Sequence, residues 1–147
     1  MIGDTDQTPP TIRAVYPSLR LLPDSVTHLF GETAQTSTMA HYSEKRHVRV
    51  AGSDATVPLG MLLFLAPPAP DIALRRMTVA EACMALVKNS FALDQTDKLW
   101  GVANLRRASA LAAAVPAYTL SYPRDYAALR DVHAAILDSL NIQGEVS

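Results

Sequence analysis

Histidines, one cysteine and paired arginines are the residues of this chain whose chemistry could serve a function. The histidines are His28, His41, His47 and His133. None is spaced like a metal-binding pair on a helix, and no cysteine or carboxylate stands at a metal-site interval from them. His41 and His47 could converge with Glu44 if the intervening segment folds back, but solvated loop and strand residues are the commoner interpretation. We therefore predict no metal site and no cofactor.

The other nucleophiles lack the sequence context of a catalytic site. Cys83 is the single cysteine, which excludes an internal disulfide, and its apolar surroundings favour a small buried hydrophobe over a reactive thiol. No serine stands in a G-x-S-x-G pattern, and the six glycines are too dispersed for a phosphate-binding loop. We predict no catalytic residues, and this absence favours a role other than catalysis.

Two arginine pairs, Arg75–Arg76 and Arg106–Arg107, are the clearest concentrations of charge. They could bind a phosphate, a nucleic-acid backbone or an acidic partner. The commoner alternative is that each arginine lays its aliphatic stem over apolar surface and pairs with a nearby carboxylate. The four arginines are candidate anion or partner contacts.

Prolines and tyrosines supply a second set of candidate contacts. Aromatic residues close to an arginine are typical of interface hot spots, although a tyrosine packed at a helix start is the commoner explanation. Adjacent prolines predict a stiff, extended arm near the N-terminus. The candidate interface residues are Pro9, Pro10, Tyr118, Tyr122 and Tyr126.

The segment 78–115 must position many of these residues, and it predicts two helices packed as a hairpin. Thr78 and Glu81 fit a capping box, and Asp94 offers an N-cap to the second helix. The first helix is apolar on nearly all sides, which is typical of burial. Gly101 lies inside the second helix, where it predicts close approach by a neighbouring element.

The sequence patterns that predict the remaining elements are less distinctive. Residues 123–141 carry apolar side chains at spacings of three and four, which predicts an amphipathic helix. Residues 47–50 and 56–66 predict a β-hairpin, with Gly60 marking a bulge or a close contact. Residues 32–44 are polar and predict a long exposed loop.

These elements predict an α+β fold. We expect a small N-terminal antiparallel sheet and a C-terminal three-helix region made of the helical hairpin and one amphipathic helix. Residues 1–11 would form an extended arm and 12–147 a single domain, since 147 residues suit one domain. Within it, 12–66 would be mainly strands and loops, 67–77 a proline-rich connector and 78–141 helical.

The overall charge and hydropathy limit the possible partners and the location of the protein. A net charge of −1 argues against nucleic acid as the main partner. No apolar run is long enough to span a membrane, and the N-terminus lacks a signal-peptide pattern. We expect a location in the cytoplasm, or in a virion or other particle assembled there.

Taken together, the sequence favours a structural or assembly subunit that forms a homo-oligomer or part of a larger particle, such as a virion or phage. Its partners would be itself or other subunits of the assembly. The alternative is a small cytoplasmic enzyme or ligand-binding domain with a cleft between sheet and helices.

Overall fold

The computed structural model describes residues 2–4, 10–13, 18–32, 34–40, 43–50, 55–90 and 98–144. These residues form helices and several sheets, so the predicted α+β class is confirmed. The helices are α1 (Pro23–Phe30), α2 (Val79–Asn89), α3 (Lys98–Ala114) and α4 (Leu129–Gly144). The strands are β1 (Ile2–Asp4), β2 (Thr11–Arg13), β3 (Ser18–Leu21), β4 (Thr36–Ala40), β5 (Ser43–Arg49), β6 (Thr56–Pro58), β7 (Leu62–Leu65), β8 (Ala73–Arg76) and β9 (Ala117–Ser121).

The chain divides into two compact units. The first comprises Met1–Ile2 and Ile12–Val57, and the second comprises Gly3–Thr11 and Pro58–Ser147. Strands β1, β2 and β6 form a three-stranded sheet in that order. The single domain over 12–147 stays a prediction.

The first unit contains an antiparallel sheet in the order β3-β5-β4. Alternation along β5 buries Val48, and α1, which contacts this strand, buries Val26. Helix α1 begins with proline at its first turn and ends at Gly31, whose φ of 81° favours glycine.

Two predictions for this half of the chain are wrong. The segment 32–44 contains β4 and the start of β5 in place of a long loop. Strand β4 lies at the edge of its sheet, and threonine favours strands even where its side chain is exposed. The predicted hairpin of 47–50 with 56–66 does not form. Strand β5 pairs with β3 and β4, whereas 56–66 divides into β6 and β7 of two different sheets.

The second unit is organised around β9, the central strand of a sheet in the order β7-β9-β8. Strand β9 runs parallel to β7 and antiparallel to β8, and its residues Ala117 and Leu120 are buried. Before β7, a Cβ atom on Gly60 would lie 3.1 Å from Leu140 Cδ2 of α4. The close contact predicted at Gly60 is therefore confirmed.

Helices α2 and α3 occupy the segment predicted as a helical hairpin. Ser90 Oγ after α2 accepts a 2.7 Å hydrogen bond from Asn104 Nδ2 of α3, while Ala82 near the start of α2 shares a core cluster with Ala112 near the end of α3. The two helices therefore run antiparallel. The cluster extends to Ala117 of β9, with further contacts from Leu62, Phe64, Met77, Cys83 and Leu86.

The capping box at the start of α2 is confirmed. Thr78 Oγ1 accepts a hydrogen bond from the Glu81 backbone N–H at 3.2 Å, and the Glu81 carboxylate accepts one from the Thr78 backbone N–H at 2.8 Å. These bonds satisfy two N–H groups that the first turn leaves unpaired. Asp94, the predicted cap of the next helix, lies outside the described residues.

The C-terminal half of the chain is less helical than the sequence predicts. Strand β8 lies within the expected connector 67–77, and β9 lies within the expected helical segment 78–141. The predicted close approach at Gly101 is also wrong, because no described residue outside its own helix lies within 4 Å of a Cβ atom built there.

Candidate functional site

The first arginine pair divides between the two faces of β8, because successive side chains of a strand point in opposite directions. Arg75 Nη1 lies 3.2 Å from Glu81 Oε1 of α2 and forms an ion pair. Hydrogen bonds from the Thr78 backbone and side chain lower the pKa of Glu81, and the charge of Arg75 lowers it further. Arg75 therefore has a local carboxylate partner.

Arg76, on the other face, meets an aromatic ring. It is the cross-strand partner of Tyr118, and its guanidinium carbon lies 5.7 Å from the centre of that ring. Arg76 Nη1 also donates a 3.2 Å hydrogen bond to the Tyr118 hydroxyl. Within the part of the chain that the structure describes, Arg76 makes no ion pair.

A hollow of about 590 Å³ opens beside Arg76 in the second unit. It lies where the end of β8, the start of α2, the end of α3, the start of β9 and α4 come together. The alanines of its lining are Ala82, Ala112, Ala113, Ala114 and Ala117. The polar side chains of its lining are Arg76, Thr78, Tyr118 and Ser139.

The lining of this hollow favours binding over acid–base chemistry. Its described residues include no histidine, cysteine or carboxylate, and proton transfer or covalent attack in proteins usually needs such groups. Two of its hydroxyls are engaged locally: Thr78 Oγ1 donates to Glu81 Oε2, and Ser139 Oγ donates to the Ala135 carbonyl. Arg76 is the one cation among the lining residues that the structure describes.

The other predicted tyrosines lie in separate settings. Tyr122 lies under Arg124, whose guanidinium carbon is 4.3 Å from the ring centre. Arg124 Nη2 also donates a 2.9 Å hydrogen bond to the Ala66 carbonyl, just after β7. Tyr126 is half-buried at the start of a 3-10 turn that leads into α4. The structure brings Tyr118, but neither of these two, to the hollow.

The second arginine pair lies on α3, next to exposed apolar side chains. Leu99, Val102 and Leu105 are 84%, 60% and 49% exposed, and their spacing of three places them on neighbouring positions of the helix surface. Arg106 lies one turn beyond Val102. We call Lys98, Leu99, Val102, Leu105 and Arg106 the outer face of α3, since the buried residues of this helix are Ala108 and Ala112.

The charge of α3 is entirely positive. The helix contains Lys98, Arg106 and Arg107 and no carboxylate. Both arginines are exposed and form no hydrogen bond or ion pair with the described residues. The two arginines are candidate contacts from the sequence alone. Exposure of leucine and valine next to these cations was not apparent from the sequence.

Helix α4 presents a surface on which carboxylates outnumber cations. Leu137 is 45% exposed, and Arg130, Asp131, Ala134 and Asp138 are also exposed. We call these five residues the outer face of α4. The predicted apolar stripe of this helix faces inward, with Val132 buried and Ile136 and Leu140 half-buried.

The remaining predicted sites are not drawn together. His47 and Glu44 lie on opposite faces of β5 because they are three residues apart in a strand, and His41 lies outside the described residues. The described residues contain no group of three or more His, Cys, Asp and Glu side chains placed to hold a metal. Pro9 also lies outside the described residues. Pro10 is buried, and its carbonyl accepts a 2.8 Å hydrogen bond from the Leu59 N–H.

Comparison with known proteins gives no further assignment. No protein family, curated protein or solved structure matches the chain. Among the described helices, none combines the length and apolar character needed to cross a lipid bilayer. Function must therefore be argued from the surfaces described above.

Proposed function

We propose that this protein is an assembly subunit that binds further copies of itself, or other subunits of a larger particle, through the outer face of α3. The observation that carries the proposal is the exposure of Leu99, Val102 and Leu105 on one side of a helix whose other side is already packed. Adjacent exposed apolar residues of this size mark an interaction surface. That the particle is a virion stays a prediction.

The apolar part of this surface can supply affinity. Full burial of a leucine or valine side chain is worth about 1.5–3 kcal/mol. Leu99 and Val102 are more than half exposed, so most of that gain is still available to a partner. The apolar centre and cationic edge of the face resemble the core and rim of protein interfaces.

The charge of α3 selects among partners. Direct pairing of two outer faces of α3 would bring Lys98 and Arg106 of both copies together, and like charges oppose such contact. A partner surface with a hydrophobic anchor beside carboxylates is complementary. The outer face of α4 has Leu137 beside two carboxylates, Asp131 and Asp138, and one cation, Arg130, so its net charge is negative. We therefore propose that α4 of one copy docks on α3 of the next.

A contact between two different surfaces has a consequence for the size of the assembly. When two copies bind in this way, one outer face of α3 and one outer face of α4 remain unused. Further copies can therefore bind, and the product is either a closed ring or an open filament. The expected product is larger than a dimer.

The first test is the molar mass in solution across a concentration series, measured by light scattering. We expect Val102→Asp to weaken association at least about tenfold, since loss of the apolar contact and burial of a carboxylate together exceed 1.4 kcal/mol. Val79→Asp is the matched control, because Val79 is exposed at the first position of α2, where a carboxylate is tolerated. A wild-type protein that stays monomeric at every concentration would exclude homo-oligomerisation.

Charge reversal tests which surfaces meet. One variant combines Lys98→Glu and Arg106→Glu, and the other combines Asp131→Arg and Asp138→Arg. Each variant alone sets like charges against each other and should be monomeric, whereas an equimolar mixture restores both complementary contacts and should assemble. A mixture that stays monomeric, although the wild type assembles, rules out the α3–α4 contact and directs attention to another surface.

Deletion of residues 1–10 would be a poor test of the predicted N-terminal contact. Pro10 is buried and its carbonyl bonds to Leu59, so the deletion would damage the fold of the second unit as well as any intermolecular contact. Substitutions on exposed positions of α3 and α4 avoid this ambiguity.

A further inference from the structure

We propose that the hollow beside Arg76 is a binding site for a carboxylate attached to a short apolar group. The carboxylate would bind the guanidinium of Arg76, and the apolar group would lie against the alanines of the lining. Either a small free carboxylic acid or the carboxyl end of a polypeptide supplies this chemistry. The site is separate from the assembly contact proposed for the outer face of α3.

The contrast between the two neighbouring arginines identifies Arg76 as the anchor. Arg75 is 3.2 Å from the Glu81 carboxylate and is already paired, whereas Arg76 makes no ion pair with the described residues. The Tyr118 ring and hydroxyl hold Arg76 by a cation–π contact and a 3.2 Å hydrogen bond. A guanidinium whose orientation is fixed in this way loses less conformational entropy when it binds an anion.

The charge of the site favours a ligand with a single negative charge. Among the described residues of the lining, Arg76 is the one cation. The start of α2, which would otherwise attract an anion, is occupied by the carboxylate of Glu81 through its bonds to Thr78. A dianionic phosphate would therefore find one cation and a nearby carboxylate. A monoanionic carboxylate matches the guanidinium in charge and in bidentate geometry.

The shape of the hollow explains the apolar part of the ligand. Its volume of about 590 Å³ is within the range of about 300–1,000 Å³ typical of small-molecule sites. Alanine side chains keep this space open: Ala113 and Ala114 of the lining are exposed, whereas Ala82, Ala112 and Ala117 are buried in the core cluster. The exposed methyl groups can contact a short aliphatic chain.

Titration of the ¹⁵N-labelled protein, followed by NMR at constant ionic strength, tests this inference. The probes are butyrate for a free acid, N-acetyl-alanine for a polypeptide carboxyl end, and butyramide as the neutral analogue. We expect saturable shifts at amides around the hollow with butyrate or N-acetyl-alanine and none with butyramide. The tighter of the two carboxylates identifies the source of the natural ligand. Saturation by butyramide at the same concentrations overturns the proposal, as does an absence of saturable shifts with both carboxylates.

Matched variants separate specific binding from general attraction to positive charge. Arg76→Gln should weaken binding at least about tenfold, as expected for loss of a charge-assisted hydrogen bond, whereas Arg75→Gln should leave it within about twofold. Equal weakening by both variants would overturn the site. Ala113→Leu provides a second test, because Ala113 is exposed and a leucine there fills the hollow while Arg76 remains. Val102→Asp should leave the titration unchanged, which distinguishes failure of this inference from failure of the assembly proposal.

Discussion

Replacement of Gly101 by alanine should stabilise the protein. Gly101 is exposed and lies in the fourth position of the 17-residue helix α3. No described residue outside this helix lies within 4 Å of the position that a Cβ atom would take. Alanine is favoured over glycine inside a helix by about 0.8–1.0 kcal/mol. Because no neighbour opposes the added methyl group, we expect nearly the whole of this difference in the free energy of unfolding.

The effect can be measured by urea unfolding with tryptophan fluorescence. The single tryptophan of the chain, Trp100, is half-buried and adjacent to the substituted residue, so its emission reports on the unit that contains α3. With a urea dependence of about 1–3 kcal/mol per molar, a gain of about 1 kcal/mol moves the midpoint upward by about 0.3–1 M.

Gly60→Ala is the informative control, since its added Cβ would lie 3.1 Å from Leu140 Cδ2. That contact requires Leu140 to move, and we expect no stabilisation. If Gly101→Ala lowers the midpoint, or raises it no more than Gly60→Ala does, the conclusion that the surroundings of Gly101 are open is refuted. If Gly101 had a close neighbour, as the sequence predicts, Gly101→Ala would instead lower the free energy of unfolding.

Three further substitutions test the second unit. Thr78→Ala should lower the free energy of unfolding by about 1 kcal/mol through loss of the helix cap. Thr78→Ser keeps the capping hydroxyl and should retain most of the wild-type stability. Equal urea midpoints for the two variants would contradict the capping role. Glu81→Gln preserves the capping geometry but removes the charge. In the folded protein, hydrogen bonds from Thr78 and the charge of Arg75 lower the pKa of Glu81 below its usual value of 4.5. The charged carboxylate therefore stabilises the fold at pH values above the unfolded-state pKa. This stabilisation is lost as the pH falls through the folded-state pKa. The stability difference between wild type and Glu81→Gln should therefore be present at neutral pH and vanish in acid, and a difference independent of pH would show that the charge is irrelevant. Leu120→Ala, at a position only 3% exposed in β9, should cost about 2–5 kcal/mol, whereas Leu65→Ala, at a position 66% exposed, should change the unfolding free energy by less than about 0.5 kcal/mol.

Local signals in the sequence predicted the helices well. The capping box of Thr78 and Glu81 is a contact between residues three apart, so the residue types alone identify the start of α2. The apolar stripe of α4 is likewise a property of neighbouring turns, and Val132 within it is buried as expected. In both cases the determining interactions lie within the element itself.

The sheet of the second unit could not be predicted in this way. Strands β8 and β9 are only four and five residues long, and each is a strand because of partners far away in the chain. Arg75 and Arg76 illustrate the consequence for the candidate site. As neighbours in a connector they look equivalent, but in a strand they point to opposite faces, so one meets Glu81 and the other meets Tyr118. The two roles follow from β8, and β8 follows from its pairing with β9.

Helix α3 shows a different limit. Alanines occupy many of its positions, and alanine is found both in cores and on surfaces, so composition gives little contrast between its two sides. Ala108 and Ala112 are buried, while Ala113 and Leu99 are exposed. The fit of small side chains against α2 and β9 decides which side of α3 is buried. This fit cannot be predicted from the pattern of apolar residues in the sequence.

The central position of β9 imposes an order on the folding of the chain. Strands β7 and β8 come first in sequence but lie on opposite edges of the sheet, and both pair with β9. Neither edge strand can complete its pairing until residues 117–121 are present, whereas the turns of α2 and α3 can form earlier from local contacts. During synthesis from the N-terminus, the apolar strand β7 must therefore wait for most of the chain to emerge. A polypeptide that ends before β9 would keep the helical hairpin sequence but leave β7 with a bare backbone edge, which favours aggregation.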